Sequence, residues 1–185
     1  NATHLFIGNK GVRRTNNVNE IEHYEFGASL ASDCMLRTMN LLDEGVCETA
    51  LGESLNALGQ KNSVVTIAAA GKRFVKANIY PTENKVKTGD TISLTIGYKG
   101  GLSSRVGYAA QDASQLPEGA RDYVDAVVKP YYGAVVEWLE QVHCGMTGGQ
   151  LYQRIDEVLP KAEYHWSLCP GHLTADEEWM SSPVY

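Results

Sequence analysis

No apolar run in this sequence approaches the roughly 20 residues that a bilayer-spanning helix needs; the longest candidates, around residues 64–70 and 124–128, stop far short. Basic residues are in the minority, 16 Lys and Arg against 22 Asp and Glu. The net charge of −6, with both signs scattered and no basic stripe, argues against a phosphate-tracking nucleic-acid module. Cysteine is sparse: Cys34, Cys47, Cys144 and Cys169 are widely spaced with no Cys-x-x-Cys, which reads as a reduced set rather than a disulfide framework. Neither common glycine-rich phosphate loop is present, and no Gly-x-Ser-x-Gly elbow. Ser103-Ser104 lies beside Gly100-Gly101 without an evident base, which argues against a hydrolase serine. No signal-peptide pattern opens the chain, and the expectation is a cytoplasmic protein. Asn1-Ala2 is set aside as a cloning remnant.

What is present is one domain's worth of chain, 185 residues with 43% hydrophobic content, enough for a real core. Residues 3–18 are turn-rich and read as an edge strand and a loop. Asn19 with Glu22 has capping-box spacing. From there Ile21, Tyr24, Ala28, Ala31, Met35, Met39 and Leu42 recur at helical spacing, with a stop expected near Gly45. A second helix fits 47–60, with Leu51, Leu55 and Leu58 on one face. Residues 63–69 read as a short buried strand, and 71–89 as a basic connection. Residues 91–98 alternate at period 2, and 102–109 can return beside them across Lys99-Gly100-Gly101, a hairpin signal. A long helix is expected over 118–143, kinked at Pro130, then another over 147–159 and an apolar stretch around 164–168.

An internal repeat organises these elements. Shifted by 100 residues, Gly45 meets Gly145, Val46 meets Met146, Cys47 meets Thr147, Leu51 meets Leu151 and Leu55 meets Ile155. The alternative is that any two αα-hairpins share a glycine stop. Read as a repeat, it implies a pseudo-symmetric α+β domain, residues 3–185, with helices backing an antiparallel sheet. The first half covers about 19–110. The second, about 118–185, is expected to be truncated before its own hairpin is complete.

The order helix, Gly-Val, helix, strand, Ala69-Ala70-Gly71, Pro81 loop, Gly89-Asp90, hairpin, long helix, Gly145-Met-Thr-Gly and Pro170-Gly-His172 resembles the "pita-bread" catalytic domain of the creatinase, prolidase, aminopeptidase P and methionine aminopeptidase family over residues 19–179. The resemblance implies a metal-dependent Xaa-Pro-type peptidase, with two divalent ions bridged by a hydroxide and held by two aspartates, a histidine and two glutamates. Two cations ~3.5–4 Å apart need anionic oxygens to neutralise them. Carried over, the aspartate positions fall on Thr95 and Arg105, the second with one residue of uncertainty in the loop. The histidine falls on His172, and a further family histidine on Asn78. Asp176 and Glu177 stand at a weakly matched His-Glu-x-Pro element, and the glutamate positions would follow Tyr185. Only His172 matches an expected ligand. A hydroxyl and a permanent guanidinium are poor replacements for carboxylates. The expectation is therefore a pseudoenzyme with no metal cofactor and no assigned catalytic residue.

Its cleft would gather Thr95, Arg105, Asn78, His172, Asp176 and Glu177. The expected partner is a peptide or small carboxylate that Arg105 could pair, with no nucleic acid and no membrane. A noncatalytic binding or dimerisation module and a fragment of an active hydrolase are the alternatives. Three smaller features carry two readings each. Cys169 and His172 with His143-Cys144 suggest zinc or buried thiols. Lys72, Arg73, Lys76, Lys85 and Lys87 make a solvated loop or an anionic-ligand rim. Tyr131, Tyr132 and Trp138 pack internally or form a homodimer face. Isolated His4, His23 and His165 are read as structural, and Trp166 and Trp179 as groove or packing residues.

Overall fold

A computed structural model describes residues 15–57, 59–76, 79–166 and 170–171. They fall into two compact units, 15–117 and 118–171.

In the first unit, helix α1 spans Val18–Leu41. Its start is set two residues before the expected one. Asn17 Oδ1 accepts from Glu20 N at 3.0 Å, and Asn17 N donates to Glu20 Oε2 at 2.7 Å. Asn17 and Glu20 make the capping box, rather than Asn19 and Glu22. The buried stripe also differs from the expected one. It is Gly27, Ala31, Cys34, Met35 and Thr38, whereas Ile21 and Met39 are about half exposed. The reason is close approach: a side chain at Gly27 would collide with Lys99 O, and one at Gly101 with the Gly27–Ala28 backbone. Where a helix meets a sheet turn that closely, small residues win over large apolar ones.

Helix α2, Glu48–Leu55, is shorter than expected. Three antiparallel strands follow: β1, Ile67–Ala70; β2, Thr91–Tyr98; and β3, Gly101–Tyr108, in the order β1-β2-β3. The hairpin is tighter by a residue than the sequence suggested, since Gly101 pairs with Tyr98 across Lys99-Gly100. β2 alternates as its period-2 pattern requires. Ile92, Leu94 and Ile96 are buried with Ala68 and Ala70 against Ala31, Met35, Leu51 and Leu55. Each large aliphatic side chain so buried contributes roughly 1.5–3 kcal/mol. The helices thus cover one face of the sheet.

In the second unit the helix expected over 118–143 starts later and runs without a break over 123–141, with an irregular stretch inside it. A short 3-10 turn at Glu118–Ala120 precedes a π-helical turn at Val124–Val128, and helix α3 runs over Lys129–Gln141. Pro130 stands at the start of α3, inside the continuous helical run, where it has no N–H to give to the preceding turn. The irregular turn lies just upstream: Lys129 N donates to Val124 O, five residues back. Helix α4 spans Gly148–Val158, and a single turn α5 spans Lys161–Tyr164.

The 100-residue repeat is visible in the backbone. Gly45 and Gly145 hold φ at +87° and +93°, a region that favours glycine. Cys47 and Thr147 are the N-caps of α2 and α4, at φ/ψ of −76°/145° and −84°/153°. Leu51 and Leu151 are buried, as are Leu55 and Ile155. Each helix pair is also braced at the same two positions. Arg37 donates to Ser54 O and Asn56 O, while Glu137 accepts from Arg154 at 2.6 Å. Residues 37 and 54 recur as 137 and 154, with the arginine moved to the other helix.

Candidate functional site

The hairpin register decides what faces what. Thr95 lies opposite Ser104, and Leu94 opposite Arg105. Residues directly opposed in an antiparallel pair share a face, and a shift of one residue reverses it. Thr95 and Ser104 therefore sit together on the face away from α1 and α2, their hydroxyl oxygens 2.8 Å apart in a hydrogen bond. Arg105 shares the side of Leu94 but, on the outer strand, stays exposed and donates to Ser104 O at 2.7 Å. The expected convergence of Thr95 and Arg105 is not formed. The residue opposite Thr95 is Ser104, one position from Arg105, because the turn holds only two residues.

Asn78, His172, Asp176 and Glu177 lie outside the described residues, as do Cys169, His4 and Trp179. Cys34, Cys47 and Cys144 are free thiols. Among the described residues no three His, Cys, Asp or Glu side chains form a group able to hold a metal ion, and no helix is long and apolar enough to cross a membrane. Tyr131 and Tyr132 are about half exposed, at 53% and 54%, and stack edge-on at 5.4 Å. Trp138 donates its indole N–H to Pro170 O.

Among the described residues of the first unit one polar group is heavily partnered, and sequence reasoning misses it. Glu48, at the start of α2, has a fully buried side chain. Its carboxylate accepts from Ala70 N (2.8 Å), Thr82 N (3.0 Å), Thr82 Oγ1 (2.8 Å), Asn84 Nδ2 (2.9 Å) and Arg73 Nε (3.0 Å). Burial pushes this carboxyl up, but the hydrogen bonds from Asn84, Ala70 and Thr82 outweigh it and hold Glu48 below its ordinary value. The same loop caps α2, since Glu48 N and Thr49 N donate to Asn84 O and Thr82 O. Arg73, read in sequence as part of a solvated basic run or an anionic rim, is instead a partner of Glu48 and of Tyr80 O. The available signal was a glutamate in the first turn after Gly45-Val46-Cys47, facing a Pro81-Thr82-Glu83-Asn84 loop rich in donors.

A second polar anchor is Tyr98. Its hydroxyl donates to Leu55 O at 2.7 Å and accepts from Ala57 N at 2.5 Å. Burial pushes its phenol up to about 12. It ties the end of β2 to the end of α2.

No family model and no curated protein matches this chain at the level of sequence. Solved structures do match. An Xaa-Pro dipeptidase from Bacillus anthracis aligns over 90% of this chain and 48% of its own, with TM-score 0.69 and 18% identity. A prolidase from Pyrococcus furiosus aligns over 94% and 55%, with TM-score 0.70 and 19% identity. An X-Pro aminopeptidase from Thermotoga maritima aligns over 89% and 47%, with TM-score 0.68 and 19% identity. The chain spans about half the length of these proteins. Their likeness bears out the expected fold: mixed helix and antiparallel sheet of the pita-bread type.

Proposed function

We propose that this pita-bread domain derives from the Xaa-Pro metallopeptidases and has given up the dinuclear metal centre, keeping the sheet face away from the helices as a binding surface for a peptide or small carboxylate. The observation that carries this reading is the Thr95–Ser104 hydroxyl pair, hydrogen-bonded at 2.8 Å. Two neutral hydroxyls, sharing one hydrogen bond, offer no charge to offset a pair of divalent cations. They do not fit a dinuclear site. A hydroxyl pair suits the carbonyls and amides of an extended peptide instead, since one O–H remains free to donate and both oxygens can accept. Arg105, on the other side of the sheet by register, is not used to recognise the ligand on this face.

Calorimetric titration with Mn²⁺, Co²⁺ and Zn²⁺, beside an Xaa-Pro dipeptide hydrolysis assay with each metal, tests the proposal. No tight two-equivalent binding and no metal-dependent turnover are expected; two tightly bound equivalents would overturn it. A competing reading follows from length. The chain spans 48% of the dipeptidase and 55% of the prolidase, so an active hydrolase whose ligands come from further chain is the alternative. Metal-dependent turnover by a longer form, absent from the 185 residues alone, would favour it. A cytoplasmic location fits the four widely spaced cysteines and a ligand other than nucleic acid fits the −6 charge; both belong to the same proposal.

A further inference from the structure

A surface cleft of about 290 Å³ opens where α1 meets the end of β2, lined by His23, Phe26, Gln60, Lys61, Tyr98 and Lys99. None of these residues enters the peptide reading above, and the cleft is built from three separate segments. Its walls are held firmly. Tyr98 is pinned through its hydroxyl to Leu55 O and Ala57 N, an isolated bridge joins Asn62 to Tyr98, and Ser63 N donates to Gly97 O at 2.8 Å. The adjoining turn packs backbone to backbone on α1, because a side chain at Gly101 would lie 2.2 Å from Ala28 N. Pre-formed walls of this kind lower the ordering cost of binding.

The charge in the cleft is of one sign. Lys61 and Lys99 both border it, and neither joins an ion pair among the described residues. This stands out in a chain of net charge −6. A concavity lined by one sign concentrates its potential and draws counter-charge. Phe26, 57% exposed, gives the same cleft an apolar wall that water covers poorly. We propose that this cleft binds a small anion carrying an apolar group, of the aryl or short acyl carboxylate or phosphate class. The two ammonium groups take the anionic head, and the Phe26 ring takes the apolar tail.

Titration of isotope-labelled protein with phenyl phosphate, benzoate, inorganic phosphate and uncharged benzyl alcohol, followed by amide chemical shifts, tests this. Saturable shifts at Phe26, Lys61 and Lys99 are expected with phenyl phosphate and benzoate. Inorganic phosphate should bind more weakly, and benzyl alcohol should give no saturation. Lys61→Gln and Lys99→Gln should each weaken binding about tenfold, the loss of one charge-assisted contact. Both lysines are exposed, so the variants should fold, and their amide spectra check that directly. Absence of saturation with both organic anions, equal affinity for benzyl alcohol, or unchanged affinity in the double variant would overturn the proposal.

Discussion

Replacing Glu48 by Gln keeps the side-chain volume but should remove a large part of the first unit's stability. The carboxylate accepts from five donor groups, two of them backbone amides of separate segments, Ala70 and Thr82. An amide has one acceptor oxygen and one donor nitrogen, so at least one wild-type donor would face another donor. Breaking a buried charged network from one side costs about 3–5 kcal/mol, against a total of ~5–15 kcal/mol for a typical domain. Arg73→Gln should cost far less, under ~1 kcal/mol, because its side chain is 33% exposed and the carboxylate keeps its other donors. The sign with pH follows from the lowered carboxyl. The unfolded chain binds a proton more readily than the fold does, so Glu48's stabilisation is complete above the ordinary carboxylate range and is lost as pH falls through the folded value below it. Glu48→Gln should therefore flatten the acid limb of stability. The two described tryptophans, Trp138 and Trp166, both lie in the second unit, so a backbone signal is the better probe of this one. The assay is urea unfolding by far-ultraviolet circular dichroism together with hydrogen exchange at the Ala70 and Thr82 amides. A midpoint shift above ~1 M is expected for Glu48→Gln. A loss below 1 kcal/mol, or a loss no larger than that of Arg73→Gln, would refute the reasoning.

Gly101→Ala places a methyl 2.2 Å from the Gly27–Ala28 backbone and should cost about 2–4 kcal/mol, while Gly107→Ala meets nothing within 4 Å and should be near neutral; paired thermal melts compare them. Thr147→Ala removes the half of the α4 capping box in which Thr147 Oγ1 accepts from Gln150 N, while the backbone N–H of residue 147 can still donate to Gln150 Oε1, and should lower stability of the second unit by ~1 kcal/mol, read from tryptophan emission in urea. The register itself can be tested: Thr95→Asp with Ser104→Asp puts two carboxylates on one face, and should bind Mn²⁺ at least ~10-fold tighter than Thr95→Asp with Arg105→Asp, where they diverge. Equal affinities by calorimetry would show that the cross-strand pairing is wrong.

Local sequence alone determined the element order, the hairpin and the repeat. Each rests on interactions between near neighbours: a glycine at positive φ after each long helix, period-2 alternation in β2, and helical spacing at Leu51–Leu55 and Leu151–Ile155. Tertiary contacts decided the rest. Whether Ser104 or Arg105 stands beside Thr95 depends on the turn holding two residues rather than three, and one residue of slip exchanges the faces of a strand. Which side of α1 is buried follows from how closely the β2–β3 turn approaches Gly27, which outweighs the apolar periodicity. Glu48 reads in sequence as one more charge at a helix start; it becomes a buried hub only because β1 and the Pro81–Asn84 loop bring their donors to it. Spacing along the chain sets conformation one element at a time, whereas side-chain environment is a property of segments tens of residues apart.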